Sequence, residues 1–238
     1  MQFLPAGDQA VVVEFGSVID PGVNALVHRT AAAIEESEIE GALEMVPTYR
    51  SLLIYYDPLR VSLAELQDEI SGLAIGDGET ADEHRIVEIP TLYGGEHGPD
   101  LEFVAENAGM TESEVVATHS GTDYLVYTMG FSPGFPYLGG LDPKLHTPRL
   151  QSPRTLIPAG SVGIAETQTG VYPVASPGGW RLIGRSPLRL FDPHASPPTV
   201  INAGDRVRFV PLNDAAAYDE VDRQVRNGTY STITRAGR

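Results

Sequence analysis

Along the first 75 residues the apolar positions alternate between two spacings. Gln9–Phe15 is β-branched, flanked by Gly7 and Gly16, and reads as a buried strand. Asp20-Pro21 then supplies an N-cap followed by proline in the first helical turn. Val23, Leu26, Val27, Ala31 and Ile34 fall on one helical face, which predicts a helix over 21–37. Ala42–Val46 and Ser51–Tyr56 read as two short strands. Ser62-Leu63-Ala64-Glu65 is a capping-box pattern that opens a second helix with Leu63, Leu66, Ile70 and Leu73 on one face. Gly76-Asp77-Gly78-Glu79 ends that helix, and Arg85–Ile89 is a further strand. The order is β-α-β-β-α-β, a split βαβ of ferredoxin-like type. Its last strand can equally start the next domain.

Two short helices follow, 101–108 after Asp100 with Gly109 behind it, and one opened by the Thr111-Glu112-Ser113-Glu114 capping box and ending near His119. Tyr124–Met129 is a strand. From Gly130 to Pro211 the chain is dense in Gly and Pro, with short apolar runs at 161–165, 171–174, 182–183, 188–191 and 207–210. Many short strands between turn signals predict an all-β barrel or sandwich. The tail after Asn213 is polar and weakly patterned. The fold class expected is therefore α+β. A boundary in the Gly- and acid-rich stretch 76–84 divides the 238 residues into 1–84, an α/β domain, and 85–238, a β-barrel domain.

Composition narrows the function classes. No cysteine is present, which excludes disulfide and thiolate chemistry. The start of the chain lacks a basic n-region and an apolar h-region, and no run approaches the roughly 20 apolar residues of a membrane span. A cytoplasmic protein without a membrane partner is expected. A net charge of −16 argues against nucleic acid as a partner. That charge is uneven. Residues 1–118 hold 4 basic and 23 acidic side chains, a net −19, and residues 119–238 hold 12 basic and 9 acidic ones, a net +3. Apart from Lys144 the basic residues are all arginine.

The candidate chemistry lies in the second half. Gly130–Leu141 holds four glycines, two prolines and the aromatics Phe131, Phe135 and Tyr137. Such a loop can wall a small-molecule pocket, with a glycine such as Gly134 admitting close approach to the backbone, or can be a packed turn of a β domain. Arg149, Arg154, Arg181, Arg185 and Arg189 lie in a 41-residue window whose only acid is Glu166. They form a candidate anion site, or they pair with carboxylates of the acidic half or of a partner. The one tryptophan, Trp180, follows Gly178-Gly179 and reads first as core. His119 ends a capped helix, where a helix C-terminus favours a cationic imidazole, and it is either a cap or a proton carrier. The six histidines have no zinc-site spacing, no P-loop or G-x-G-x-x-G occurs, and Ser120 and Ser161 lack a G-x-S-x-G elbow, so no metal ligand and no serine-hydrolase triad is expected.

Taken in order, Glu114-Val115-Val116-x-x-His119, Gly130-Phe131-x-Pro133-Gly134-Phe135-x-Tyr137-Leu138, Pro148-Arg149 with Pro153-Arg154, Pro158-x-Gly160-Ser161-Val162, Gly170-Val171-Tyr172-Pro173 and Pro177-Gly178-Gly179-Trp180-x-Leu182-Ile183-Gly184-Arg185 resemble the family of KipI, allophanate hydrolase subunit 1 and the B-type 5-oxoprolinase subunit. Glu166 departs from it, since a small residue, often glycine, is common there. The resemblance implies a small α/β domain followed by a cyclophilin-like barrel. It implies as partner a homologous second barrel, of the kind formed by allophanate hydrolase subunit 2 and the C-type 5-oxoprolinase subunit, and a third LamB/YcsF-type subunit. The implied activity is ATP-dependent opening of 5-oxoproline to glutamate, or cleavage of a related amide, with a nucleotide site open to sharing with the partner. A carboxyltransferase half acting with a biotin-dependent partner and a non-catalytic inhibitor of a sensor histidine kinase are the alternatives. His119 is the acid or base expected. Arg149, Arg154, Phe131, Gly134, Phe135, Tyr137, Gly160, Ser161, Tyr172, Gly178, Gly179 and Trp180 are the expected substrate-binding residues.

Overall fold

A computed structural model describes residues 1–75 and 85–236. The chain divides into two units, Met1–Asp82 and Glu83–Arg238. The expected boundary at 76–84 lies outside the described residues.

The first unit is a four-stranded antiparallel sheet carrying two helices. Its elements are β1 (Gln2–Pro5), β2 (Ala10–Glu14), α1 (Pro21–Glu36), β3 (Ala42–Pro47), β4 (Ser51–Tyr56) and α2 (Leu63–Gly72), with sheet order β1-β2-β4-β3. Asp20 accepts from the Gly22 and Val23 N–H groups, and the Ser62/Glu65 capping box is complete. Val27 and Ile34 of α1, Leu66 and Ile70 of α2, and alternate residues of β2 and β4 (Val11, Val13, Leu52, Ile54) form one buried core. The strand at 85–89 is not part of this sheet. The edge beside β2 is held by β1, paired from Gln2↔Glu14 to Pro5↔Val11. β1 escapes pattern reading because only Phe3 of its four residues is even partly buried.

The second unit is a closed barrel. Its elements are β5 (Arg85–Tyr93), α3 (Leu101–Ala108), α4 (Glu112–Ser120), β6 (Asp123–Met129), β7 (Pro136–Gly139), β8 (Arg154–Ile157), β9 (Ser161–Ala165), β10 (Gln168–Val171), β11 (Ser176–Gly178), β12 (Arg181–Arg185), β13 (Arg206–Pro211), α5 (Ala215–Arg226) and β14 (Thr234–Ala236). The strand order β12-β9-β10-β7-β6-β13-β5 returns to β12, so seven strands form a ring. β5 closes it, running parallel to β13 over Ile86–Thr91 and meeting β12 at Leu92 and Tyr93. Closure leaves the strands of the ring few open edges. Val87, Ile89, Tyr124, Val126, Leu138, Val162, Ile164, Ile183, Val207 and Phe209 fill its core, joined by Val104 of α3 and Val115 of α4.

Three expectations shift. The strand expected at 171–174 ends at Val171; Tyr172 N–H still donates to the Ser161 carbonyl of β9 at 2.9 Å, but Pro173 has no N–H with which to continue the ladder. Residues 188–191 make only the isolated bridge Phe191↔Thr199. The polar tail contains α5, capped by Asp214, with Val221 and Val225 against the barrel core. Two inward valines four residues apart are too few to announce a helix by periodicity. Within α5, Arg223 pairs with Glu220 and Arg226 with Asp222. Among the described residues no helix is long and apolar enough to cross a membrane.

Candidate functional site

A cluster of aromatic rings on the barrel is built around Phe135. Its ring meets those of Phe131, Tyr137, Tyr172 and Trp180 edge-on, at centroid distances of 5.6, 5.2, 5.2 and 5.6 Å. Edge-to-face contact is the favoured geometry for such rings and holds them rigidly. Phe135 is buried among Ile157 of β8 and the barrel residues Ala165 and Leu182. The backbone around it turns sharply. Gly130 N–H donates to the Phe135 carbonyl at 3.0 Å, and Phe131 between them takes φ +63° with its ring 65% exposed. A bulky residue in the left-handed region is a backbone outlier, and such outliers concentrate at functional sites.

These rings wall an open cavity of about 310 Å³, lined by Phe131, Phe135, Tyr137, Arg149, Pro153, Tyr172, Pro177, Gly178, Gly179 and Trp180. Apolar walls with a few polar groups are what small-molecule sites present. β8 and β11 pair as a two-stranded ribbon, Ser176↔Ile157 and Gly178↔Arg154, which supplies the glycine side. A Cβ on Gly178 would lie 2.5 Å from the Tyr172 hydroxyl, so only glycine lets the ribbon close on that ring. Leu150 N–H donates to the Gly179 carbonyl at 2.8 Å, which brings Arg149 to the rim. The Arg149 guanidinium is exposed and has no ion-pair or hydrogen-bond partner among the described residues. Burial pushes the Tyr172 phenol up to about 12, against the pull of Arg149 and Arg154. It is therefore a neutral hydrogen-bonding group at physiological pH.

Eight of the thirteen expected site residues line this cavity: Phe131, Phe135, Tyr137, Arg149, Tyr172, Gly178, Gly179 and Trp180. Trp180 is both core, at 5% exposure, and wall. The other five do not line it. Gly134 forms the neighbouring shallow surface with Met129 to Pro133. Gly160 takes φ +81° where a Cβ would lie 2.0 Å from the Ser186 carbonyl oxygen, and Ser161 is a buried residue of β9. Arg154 is committed to Asp100, at 2.9 Å, with a second bond to the Trp180 carbonyl at 3.3 Å.

Asp100 is a residue whose part the sequence understates. It reads as the cap of α3, yet its side chain makes no capping bond. Buried, it accepts instead from Leu182 N–H at 2.7 Å and from Arg154, with Arg181 at 3.8 Å. Arg181 in turn lies 3.6 Å over the Phe103 ring. Two of the five clustered arginines thus answer one buried carboxylate. Pro153 and Pro177 also line the cavity, and each stands beside a residue singled out by motif.

His119 requires a correction. It is fully buried in the barrel core and does not line the cavity. The Thr169 hydroxyl donates to the Gly163 carbonyl at 3.0 Å, so it accepts from Nε2–H of His119 at 2.8 Å. Nδ1 then accepts from the Tyr93 hydroxyl, also at 2.8 Å. Both ring nitrogens are occupied in the neutral form. Burial drives the pKa down to about 3, which overrides the opposite pull of a helix C-terminus. Among the described residues no group of three or more His, Cys, Asp or Glu could hold a metal ion.

The architecture defines a class: an α+β chain whose closed barrel presents a rigid aromatic cavity with one free guanidinium. The family model for the carboxyltransferase domain, subdomains C and D, matches residues 1–201, and the chain belongs to that family. It is 45% identical over 230 residues to the B-type subunit of 5-oxoprolinase from Bacillus subtilis (strain 168), covering 90% of this chain and 95% of that one. The crystal structure of TTHA0988 in space group P212121 superposes with a TM-score of 0.78 at 38% identity, over 87% of this chain and 40% of that chain. This chain therefore spans less than half of that structure. The Kluyveromyces lactis urea amidolyase shares the fold, with a TM-score of 0.79 at 20% identity, over 99% of this chain and 16% of that one.

Proposed function

We propose that this chain is the B-type subunit of a heteromeric, cytoplasmic 5-oxoprolinase, which uses ATP to open the lactam of 5-oxoproline to glutamate. The observation that carries the reading is the pairing of an aromatic-walled cavity with the free Arg149 fork, in a chain 45% identical to a B-type 5-oxoprolinase subunit over nearly all of both lengths. A five-membered lactam offers flat apolar faces and one carboxylate. The rings of Phe135, Tyr172 and Trp180 suit the first and a guanidinium suits the second. The neutral Tyr172 phenol and the Gly178-Gly179 backbone can hold the ring amide.

A lactam carbonyl is a poor electrophile. Transfer of the terminal phosphoryl group of ATP to its oxygen releases ADP and opens the carbon to water; the ring C–N bond of the adduct then breaks, with the nitrogen taking a proton, to give an acyl phosphate, whose hydrolysis releases phosphate and glutamate. The phosphoryl transfer needs positioning and charge stabilisation more than a protein nucleophile. One free guanidinium is too little for that charge, so the remaining groups come from partners, a homologous barrel subunit and a LamB/YcsF-type subunit. In this reading His119 shapes the barrel and does not move a proton at the substrate.

The two units are proposed to be two domains, 1–84 and 85–238, since each has its own buried core. Cleavage between residues 75 and 85 that leaves both fragments folded supports that division, and loss of both on cleavage overturns it.

The test of function is 5-oxoproline-dependent ATP hydrolysis by the chain co-purified with its two partners, set beside each component alone. Turnover only in the full complex, lost with Arg149→Met, is the expected result. A second reading, the carboxyltransferase half of a biotin-dependent enzyme, is favoured by the family model. Carboxyl transfer from a biotinylated partner, with no 5-oxoproline turnover, would replace the first reading with this one.

A further inference from the structure

A second cavity, of about 460 Å³, lies between α5 and the segment that follows β12, and it shares no lining residue with the first. Arg185, Arg189 and Arg226 line it, with Tyr218 and a single carboxylate, Asp222. This is a concentration of positive charge on a chain of net charge −16.

The three guanidiniums are not alike. Arg185 is partly buried at the end of β12, and its Nε donates to the Ala159 carbonyl at 2.9 Å. That bond fixes the plane of the guanidinium, while its two terminal nitrogens make no ion pair among the described residues. Arg189 pairs with Asp192 three residues on, and Arg226 with Asp222 four residues back. Those two arginines are well exposed, at 62% and 77% of their side chains. Exposed local pairs of this kind contribute little and are readily exchanged for a better anion. The last turn of α5 does not oppose an anion with bare carbonyls. The carbonyls of Arg223, Gln224 and Val225 accept from Asn227, Thr229 and Gly228 N–H groups.

We propose that this second cavity is an oxyanion site for a phosphate-bearing ligand of the di- or triphosphate class, with Arg185 as its fixed fork. A single carboxylate would satisfy one guanidinium and leave two. A di- or triphosphate presents several charges and tetrahedral oxygens to forks converging from two elements. The Tyr218 ring, set against His97 at 4.6 Å, adds a flat face at the same cavity for the organic part of such a ligand. The proposal deepens the 5-oxoprolinase reading, since ATP is the phosphoryl donor of that reaction, but its test reads binding to this chain and does not depend on turnover.

Isothermal titration calorimetry of the full chain with pyrophosphate, ATP and inorganic phosphate tests it. Pyrophosphate and ATP are expected to bind at least tenfold more tightly than inorganic phosphate. Arg185→Met is expected to weaken both at least tenfold, and Arg226→Met, an exposed change that keeps the fold, severalfold. Tighter binding of ATP than of pyrophosphate adds the base to the recognised groups, and equal binding places recognition on the phosphates; either supports the site. Absence of heat with both, or unchanged affinity in Arg226→Met together with a folded Arg185→Met, overturns it. So does loss of binding in Arg149→Met, which would move the anion to the first cavity.

Discussion

Inside the barrel the hydroxyl of Tyr93 on β5 donates to Nδ1 of His119 on α4 across 2.8 Å. The bond is one link of a chain from Tyr93 through His119 and Thr169 to the Gly163 carbonyl, which joins β5, α4, β10 and β9. Every donor and acceptor in it is satisfied only while the imidazole is neutral. An added proton on Nδ1 would face a hydroxyl already donating and a core with no carboxylate in contact.

This network makes stability depend on pH. In the unfolded chain His119 titrates near 6.5, and in the folded chain near 3. Between those values the unfolded state binds one proton more. Stability is thus fully present above 6.5 and falls as the pH drops towards 3, by up to about 1.4 kcal/mol per pH unit. Urea unfolding at pH 7.5 and 5.5 should show the native chain losing about 1 kcal/mol more than His119→Gln, which lacks the titrating ring. At pH 7.5 the variant itself should be about 1–3 kcal/mol less stable, since one hydroxyl loses its partner. Equal losses on acidification in both proteins would contradict the assignment.

How far this site was legible follows from particular residues. The Gly130–Leu141 loop and Gly178-Gly179-Trp180 declare themselves locally, because glycine and aromatic residues in one short run mark a backbone under constraint, and they do meet at the cavity. Arg149 and Arg154 look alike in sequence. What separates them is Asp100, some fifty residues earlier, whose side chain takes one arginine and leaves the other free. Such long-range pairing has no signature in spacing. His119 misleads for a related reason. A helix end suggests charge, but the packing of α4 against Phe209 and Tyr124 sets its burial. β1 and α5 fail the periodicity reading because each buries too few side chains.

Glu166 takes φ +53° in the turn between β9 and β10, and its side chain is exposed. An L residue there costs about 1–2 kcal/mol, while glycine costs about 0.5–1 kcal/mol in extra chain freedom on unfolding. The turn's contacts with Thr147 use only backbone atoms. Glu166→Gly should therefore raise stability by about 0.5–1 kcal/mol, seen as a higher melting temperature. A lower one would mean that the carboxylate has a role the turn geometry does not account for.

Gly178 and Gly179 should respond differently to the same change. In Gly178→Ala the methyl would lie 2.5 Å from the Tyr172 hydroxyl and 2.8 Å from Ile157 Cδ1. Overpacking of that kind costs about 1–3 kcal/mol and must displace the Tyr172 ring. Tyr172 stands edge-on to Trp180 at 6.3 Å, so Trp180 emission should change as well. In Gly179→Ala the nearest atom is Pro153 Cγ at 3.6 Å, an ordinary contact, and both stability and emission should stay close to native. Two variants with the same loss of stability would show that the ribbon, not the Tyr172 contact, sets the requirement.

Arg149 and Arg154 should divide binding from stability. Arg149 touches nothing that folding needs, so Arg149→Met should leave the melting temperature within about a degree of native, as surface changes away from structural contacts do. It should nonetheless abolish quenching of Trp180 by a carboxylate-bearing lactam in the assembled complex. Arg149→Lys should restore little, because an ammonium cannot reproduce the two parallel bonds of a guanidinium. Arg154→Met removes the main partner of a buried carboxylate. Asp100 keeps the Leu182 N–H at 2.7 Å and the more distant Arg181, so the cost should be about 1–3 kcal/mol. The additional change Asp100→Asn should recover part of that loss, since it removes the charge left unpaired while keeping an acceptor for Leu182. Ligand quenching in Arg154→Met, measured well below its melting temperature, should remain. The reverse outcome, with Arg154→Met folded but unable to bind and Arg149→Met fully active, would exchange the two roles and place the carboxylate of the ligand on the Asp100 side of the ribbon.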